Sequence, residues 1–199
     1  MATALTNKVL TETFGSDTGA ALWAKRAVLV IAGVMLLAIS AKISVPMWPV
    51  PITMGTFAVL TLGAAYGPRL GLATIAAYML VGVMGFDVFA GSSAEKFGIT
   101  YMMGGTGGYL VGYMLATVAL GAFARAGWDR SAPKMAAAML VGNALIYVPG
   151  LIWLGMLFGW DKPILAWGLT PFLIGDAVKL ALAAVLLPAA WKLVGRASG

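Results

Sequence analysis

The chain contains no cysteine and no histidine. Without thiols there is no disulfide and no thiolate nucleophile. Without imidazole the commonest general base and the commonest zinc and haem ligands are missing. Charge is scarce as well: Asp, Glu, Lys and Arg make up 10% of the 199 residues, against about 25% in a soluble domain. The net charge of +6 is not gathered into a basic cluster with interleaved aromatics, so nucleic-acid binding is not expected. A Gly-x4-Gly-Lys-Ser/Thr loop is absent, so the chain has no ATP site of its own. The polar residues 1–22 lack the apolar run of a cleaved signal peptide. No catalytic residue, metal site or cofactor is therefore expected, and an enzyme is not indicated. What the chain does have is apolar: 61% of it is hydrophobic, in blocks of roughly the twenty residues that cross a bilayer.

Those blocks predict an all-α polytopic membrane protein, a single domain over residues 1–199. After a partly disordered tail (1–22), six spans are expected near 27–41, 52–66, 70–86, 107–124, 135–158 and 171–191. Pro46, Pro49 and Pro51 force a stiff extended segment between the first two, with Trp48 suited to the interfacial belt. Gly67-Pro68-Arg69 reads as a tight turn. A long polar link (87–106) follows the third span, and its aromatic residues indicate that it packs rather than floats. With the N-terminus inside, nine of the thirteen Lys and Arg fall on inner segments. Three (Lys42, Lys96, Lys162) fall outside, and Lys179 lies within a span. That bias places both termini in the cytoplasm and makes the chain a multi-pass protein of the cell (inner) membrane. Small-xxx-small pairs such as Gly63/Gly67 and Gly108/Gly112 suit close helix packing.

The sixth span carries the chemistry. Asp176 and Lys179 sit inside an apolar run, where each charge costs roughly 2.5–3.5 kcal/mol on insertion scales. Their i,i+3 spacing puts both on one helix face. Asn143 and Tyr147, one turn apart in span five, share a face in the same way. The proline segment and the glycine-rich link lie on the same outer side, so an outward-facing pocket is expected. Three readings of the pair stay open: a structural ion bridge, a proton or ion relay, and ligand capture. In the last, Lys179 takes a ligand carboxylate, while Asp176 accepts from a ligand N–H or orients the lysine. A stand-alone ion-coupled transporter of a small carboxylate is the functional alternative. The GGTGG run (104–108) opens a helix whose free N–H groups suit an anionic or carbonyl ligand.

Five segments, IS-AKISVPMWPVPIT (39–53), GPRLG (67–71), FDVFAG (86–91), GGTGGYLVGY (104–113) and GDAVK (175–179), occur in an order that resembles the BioY family. These are the biotin-specific S components of energy-coupling factor (ECF) transporters. The resemblance implies a six-helix fold that captures biotin with high affinity near the outer surface, biotin being the transported ligand. It implies that Asp176 and Lys179 contact biotin, with Asn143 and Tyr147 from span five, Thr53 from the first outer loop, and Gly105, Thr106 and Gly107 from the second. It also implies two kinds of partner, a transmembrane coupling protein and ABC-type ATPase subunits. One position departs from the family pattern: Gly55 stands where a glutamine is usual, so Gly55 is not expected to bind ligand.

Overall fold

The computed structural model describes residues 7–91 and 97–197. Helix α1 (Gly19–Lys42) leads into a two-residue hairpin, β1 (Ser44–Val45) with β2 (Ile52–Thr53), paired antiparallel with Ser44 opposite Thr53. Then come α2 (Gly55–Val83), the short α3 (Gly98–Met102), α4 (Gly107–Arg125), α5 (Ala132–Phe158), the short α6 (Ile164–Gly168) and α7 (Leu173–Ala197). Glu95, Lys96 and residues 1–6 of the expected tail lie outside the described residues, as does the side chain of Arg196.

Element α2 is two helices. Gly67 breaks it with φ 77° and ψ 174°, a left-handed φ that favours glycine, and Pro68 follows at a first-turn position. A Cβ on Gly71 would stand 3.5 Å from the Cα of Gly63. In an unbroken helix these residues would lie about 12 Å apart. The two arms, 55–66 and 68–83, therefore form a hairpin, and the bundle has six membrane helices. Among the described residues, α1, α4, α5 and the stretch Ile164–Gly195 are each long and apolar enough to span on their own.

Lipid tails are as apolar as leucine, so these helices associate through close packing rather than through the hydrophobic effect. The small residues provide it. Gly63 and Gly71 of α2 lie against Thr117 of α4, Gly112 of α4 against Ile146 of α5, and Gly121 of α4 against the Pro68 turn. Helix α4 is thus the central post, with 56% of its apolar window buried, whereas α1 packs mainly on α2 and has 11% buried.

Two segments differ from expectation. The first helix begins at Gly19, because Ala20, Ala21, Ala24 and Ala27 are strong helix formers that carry it through Lys25 and Arg26. Residues 7–18 form a packed strap rather than a loose tail. Val9 is fully buried over Gly67, the Thr11 hydroxyl donates to Ala65 O at 3.2 Å, and Arg125 pairs with Glu12 at 2.6 Å. At the far end, residues 170–172 form a 3₁₀ turn before α7 starts at Leu173. This puts Asp176 in the first turn of α7, where the helix dipole favours a negative charge.

Candidate functional site

At the outer end of the bundle lies an apolar, aromatic-walled cavity, the concave and mostly apolar setting that small-molecule sites favour. Its lid elements are fixed by aromatic contacts. Trp48 of the proline loop meets Phe158 (5.4 Å) and Trp167 (5.1 Å) edge-on. In the second outer loop Phe89 is buried, stacks on Tyr101 at 4.8 Å and meets Tyr78 edge-on at 5.3 Å. Gly82 leaves the room that Phe89 fills. The Tyr78 hydroxyl donates to Val88 O, and Lys42 ties down Asp87 (2.6 Å) and Phe89 O (2.9 Å). The described part of this link packs, as its aromatic residues indicated, and forms a clamped wall.

The polar groups of the site form one connected set. Lys179 and Asp176 are each 6% exposed and pair at 3.0 Å between Nζ and Oδ1. Lys179 Nζ also donates to the Thr56 hydroxyl at 2.9 Å, and that hydroxyl lies 3.5 Å from Asp176 Oδ1. The Tyr147 hydroxyl donates to Asp176 Oδ2. Both carboxylate oxygens are therefore engaged by the protein. An ammonium has three donors, and two of those on Lys179 are used, which leaves one for the cavity that Lys179 lines. A buried ion pair is a poor stabiliser in itself, because desolvation offsets the attraction. Here a hydroxyl from α2 and one from α5 complete it.

Of the residues singled out in the sequence, Lys179, Tyr147, Thr53 and Thr106 line this cavity, and Asp176 holds two of its wall groups. Asn143, Gly105 and Gly107 do not line it. Asn143 lies one turn deeper on α5 than Tyr147, with a buried side-chain oxygen that has no hydrogen-bond partner among the described residues. The two glycines are spacers. A Cβ on Gly105 would come within 3.0 Å of Pro49 O, and one on Gly107 within 3.0 Å of the Trp153 ring. The Trp153 indole N–H itself donates to Gly104 O at 2.8 Å.

Among the lining residues that the sequence reading did not assign to the site are Thr56, Tyr109, Tyr113 and Gly55. A helical threonine carries no signal in an apolar run, and Tyr109 and Tyr113 differ from core tyrosines only by facing a void, although their i,i+4 spacing placed them on one face. Gly55 was set aside, yet it lines the wall. Its N–H donates to the Thr53 hydroxyl at 2.9 Å, and an added Cβ would meet that oxygen at 2.9 Å and the Tyr113 hydroxyl at 3.2 Å.

Comparison with known proteins gives one consistent result. Residues 8–196 match the model of the BioY family. A probable biotin transporter BioY of Pyrococcus horikoshii is 36% identical over 163 residues, 82% of this chain and 94% of the relative. The biotin transporter BioY of Thermotoga maritima is 32% identical over 160 residues, 79% and 92% of the two chains. A crystal structure of the S-component for biotin from an ECF-type ABC transporter aligns with a TM-score of 0.73 at 21% identity, covering 88% of this chain and 95% of that one. At that identity the structural likeness speaks for the fold.

Proposed function

The chain belongs to the BioY family, and from that premise we propose that it is the biotin-capturing S component of an ECF-type uptake transporter in the cell membrane. One observation carries the reading: a buried lysine with an uncommitted donor on the wall of an otherwise apolar, aromatic cavity. Biotin offers a carboxylate, a ureido ring and an apolar thioether ring. Lys179 receives the carboxylate, and Asp176 and Thr56 hold the ammonium in place. Because Asp176 does not itself line the cavity and its oxygens hold Tyr147 and Lys179, Asp176 acts as the positioning residue. The aromatic walls and the hydroxyls of Thr53 and Thr106 face the rest of the molecule. The activity is transport, without chemistry on the solute. Energy comes from partners, a transmembrane coupling protein and ABC-type ATPases, since this sequence carries no nucleotide loop. The ion-coupled alternative gains nothing from the site, because its one intramembrane carboxylate is committed to Lys179.

Calorimetric titration of the detergent-purified chain tests the reading, with thiamine and riboflavin as controls. Stoichiometric binding of biotin alone is expected. Equal binding of all three, or of none, overturns it.

A further inference from the structure

A second and larger recess opens at the opposite end of the bundle, where the termini and most of the cations gather. It lies between α1, the strap and the Gly67 turn, is open to its surroundings and has a volume of about 830 Å³. Its rim carries Lys8, Lys25, Arg26, Arg69 and Arg125 against two acids, Glu12 and Asp17. Three of the cations are engaged by the protein: Arg125 with Glu12, Lys8 with Asp17 at 3.4 Å, and Lys25 with Phe14 O. Two guanidiniums are not. Arg26 on α1 lies over the Trp23 ring at 5.2 Å, and neither it nor Arg69 on α2 has an ion-pair partner among the described residues. Both are exposed.

Below the rim the recess changes character. Its walls become Leu29, Val30 and Ile31 from α1 and Leu70 and Ala73 from α2. Tyr66 also faces it, but its hydroxyl already donates to Leu29 O at 2.9 Å. Trp23, 69% exposed, marks the interface level at which indoles collect. The recess thus runs from unpaired guanidiniums at headgroup depth into an apolar cleft at acyl-chain depth. A soluble anion matches only the upper half, and an apolar protein segment only the lower. An amphipathic anion matches both.

We propose that this cleft is a binding site for an anionic phospholipid of the leaflet at the termini end. Arg26 and Arg69 take the phosphate, for which the forked guanidinium is suited, and the acyl chains lie between α1 and the second arm of α2. Basic pockets between membrane helices on the cytoplasmic side recognise anionic headgroups by this chemistry. The lipid also covers one side of α1, which packs mainly on α2. The inference does not depend on the identity of the transported solute.

The test is native mass spectrometry of the full chain purified in detergent. The chain is offered equimolar phosphatidylglycerol and phosphatidylcholine of matched acyl chains, for wild type and for the double variant Arg26→Gln, Arg69→Gln. Monodisperse elution and unchanged helical circular dichroism verify the fold of the variant. Wild type should retain phosphatidylglycerol over phosphatidylcholine by about tenfold or more, and the variant should bring that ratio close to one. Location is read separately. The chain has no cysteine, so Ala73→Cys gives a unique thiol whose maleimide labelling phosphatidylglycerol should slow and phosphatidylcholine should not. No preference in wild type, a preference that survives the double variant, or unprotected labelling overturns the proposal. If soluble glycerol phosphate displaces the lipid, the site is one for free phosphate. If the thiol is protected only by dimerisation or by a second chain, the occupant is protein. Either outcome overturns it equally.

Discussion

Two carboxylates are buried at opposite ends of this bundle, and their surroundings differ in one respect. Asp176, at the outer end, shares its oxygens among Lys179, Thr56 and Tyr147, and those partners border a cavity. Asp129, at the inner end, is fully buried in the turn between α4 and α5 and takes the Trp191 indole N–H at 2.6 Å. Arg130 lies over the same indole at 4.2 Å and donates to Lys8 O at 3.1 Å. This second cluster lines neither the outer cavity nor the inner recess, and Asp129 Oδ1 has no hydrogen-bond partner among the described residues. One acid holds a cation open toward a void. The other seals the end of α7 to the turn and the strap. A buried charge marks a site only where an uncommitted donor meets space.

The largest effect that separates the two is in ligand affinity. Removing one partner of a buried, hydrogen-bonded charge pair costs about 2–5 kcal/mol. Lys179→Ala should therefore weaken biotin binding by about a hundredfold in calorimetric titration, and it leaves Asp176 as an unpaired buried charge that also lowers the melting temperature. Unchanged affinity would remove Lys179 from the site. Asp129→Ala should do the reverse, leaving biotin affinity as in wild type and lowering stability by about 1–3 kcal/mol, because it strands the Trp191 N–H without an acceptor.

The inner acid also has a signature in pH. Burial pushes the Asp129 carboxyl up from 3.8 to about 6, against the lowering effects of the Trp191 hydrogen bond and Arg130. A raised acid binds its proton more tightly in the folded state. Its contribution to stability is fully present below pH 3.8 and is lost as pH rises through about 6. Asp129→Asn keeps an oxygen for Trp191 and cannot ionise. It should melt higher than wild type at pH 7.5 and lose that advantage near pH 4, as read by thermal unfolding across the interval. An equal gain at both values would mean that the acid stays charged in its burial.

How far each region was legible follows from the range of its contacts. Asp176 and Lys179 stood out because a charge in an apolar run is costly wherever it folds, and three residues of spacing fix their shared face. The GPRLG turn declared its reversal through Gly67 and Pro68. Asp129 carries no local signal of burial, because the indole that covers it lies 62 positions away. Thr56 meets Lys179 across 123 positions, and a lone hydroxyl gives no hint of that. Gly105 and Gly107 misled for a physical reason. A glycine that admits a ligand and one that admits Pro49 or Trp153 satisfy the same steric need, and only the neighbour tells them apart. The strap was misread because one buried valine and a Glu12–Arg125 pair order a segment whose composition is polar.

A smaller change at the outer acid tests whether its hydrogen bonds matter individually. Tyr147→Phe keeps the ring against Phe172, at 6.0 Å, and deletes only the hydroxyl given to Asp176. The freed carboxylate oxygen remains buried, so the lysine is held less firmly and about 1–2 kcal/mol of binding is lost, roughly five- to thirtyfold in affinity. If Asp176 only positions Lys179, the loss should appear as faster release with little change in association rate, in stopped-flow measurements with a fluorescent biotin conjugate. If affinity rises instead, the freed oxygen has become an acceptor for the ureido N–H, and Asp176 would move from positioning residue to direct contact.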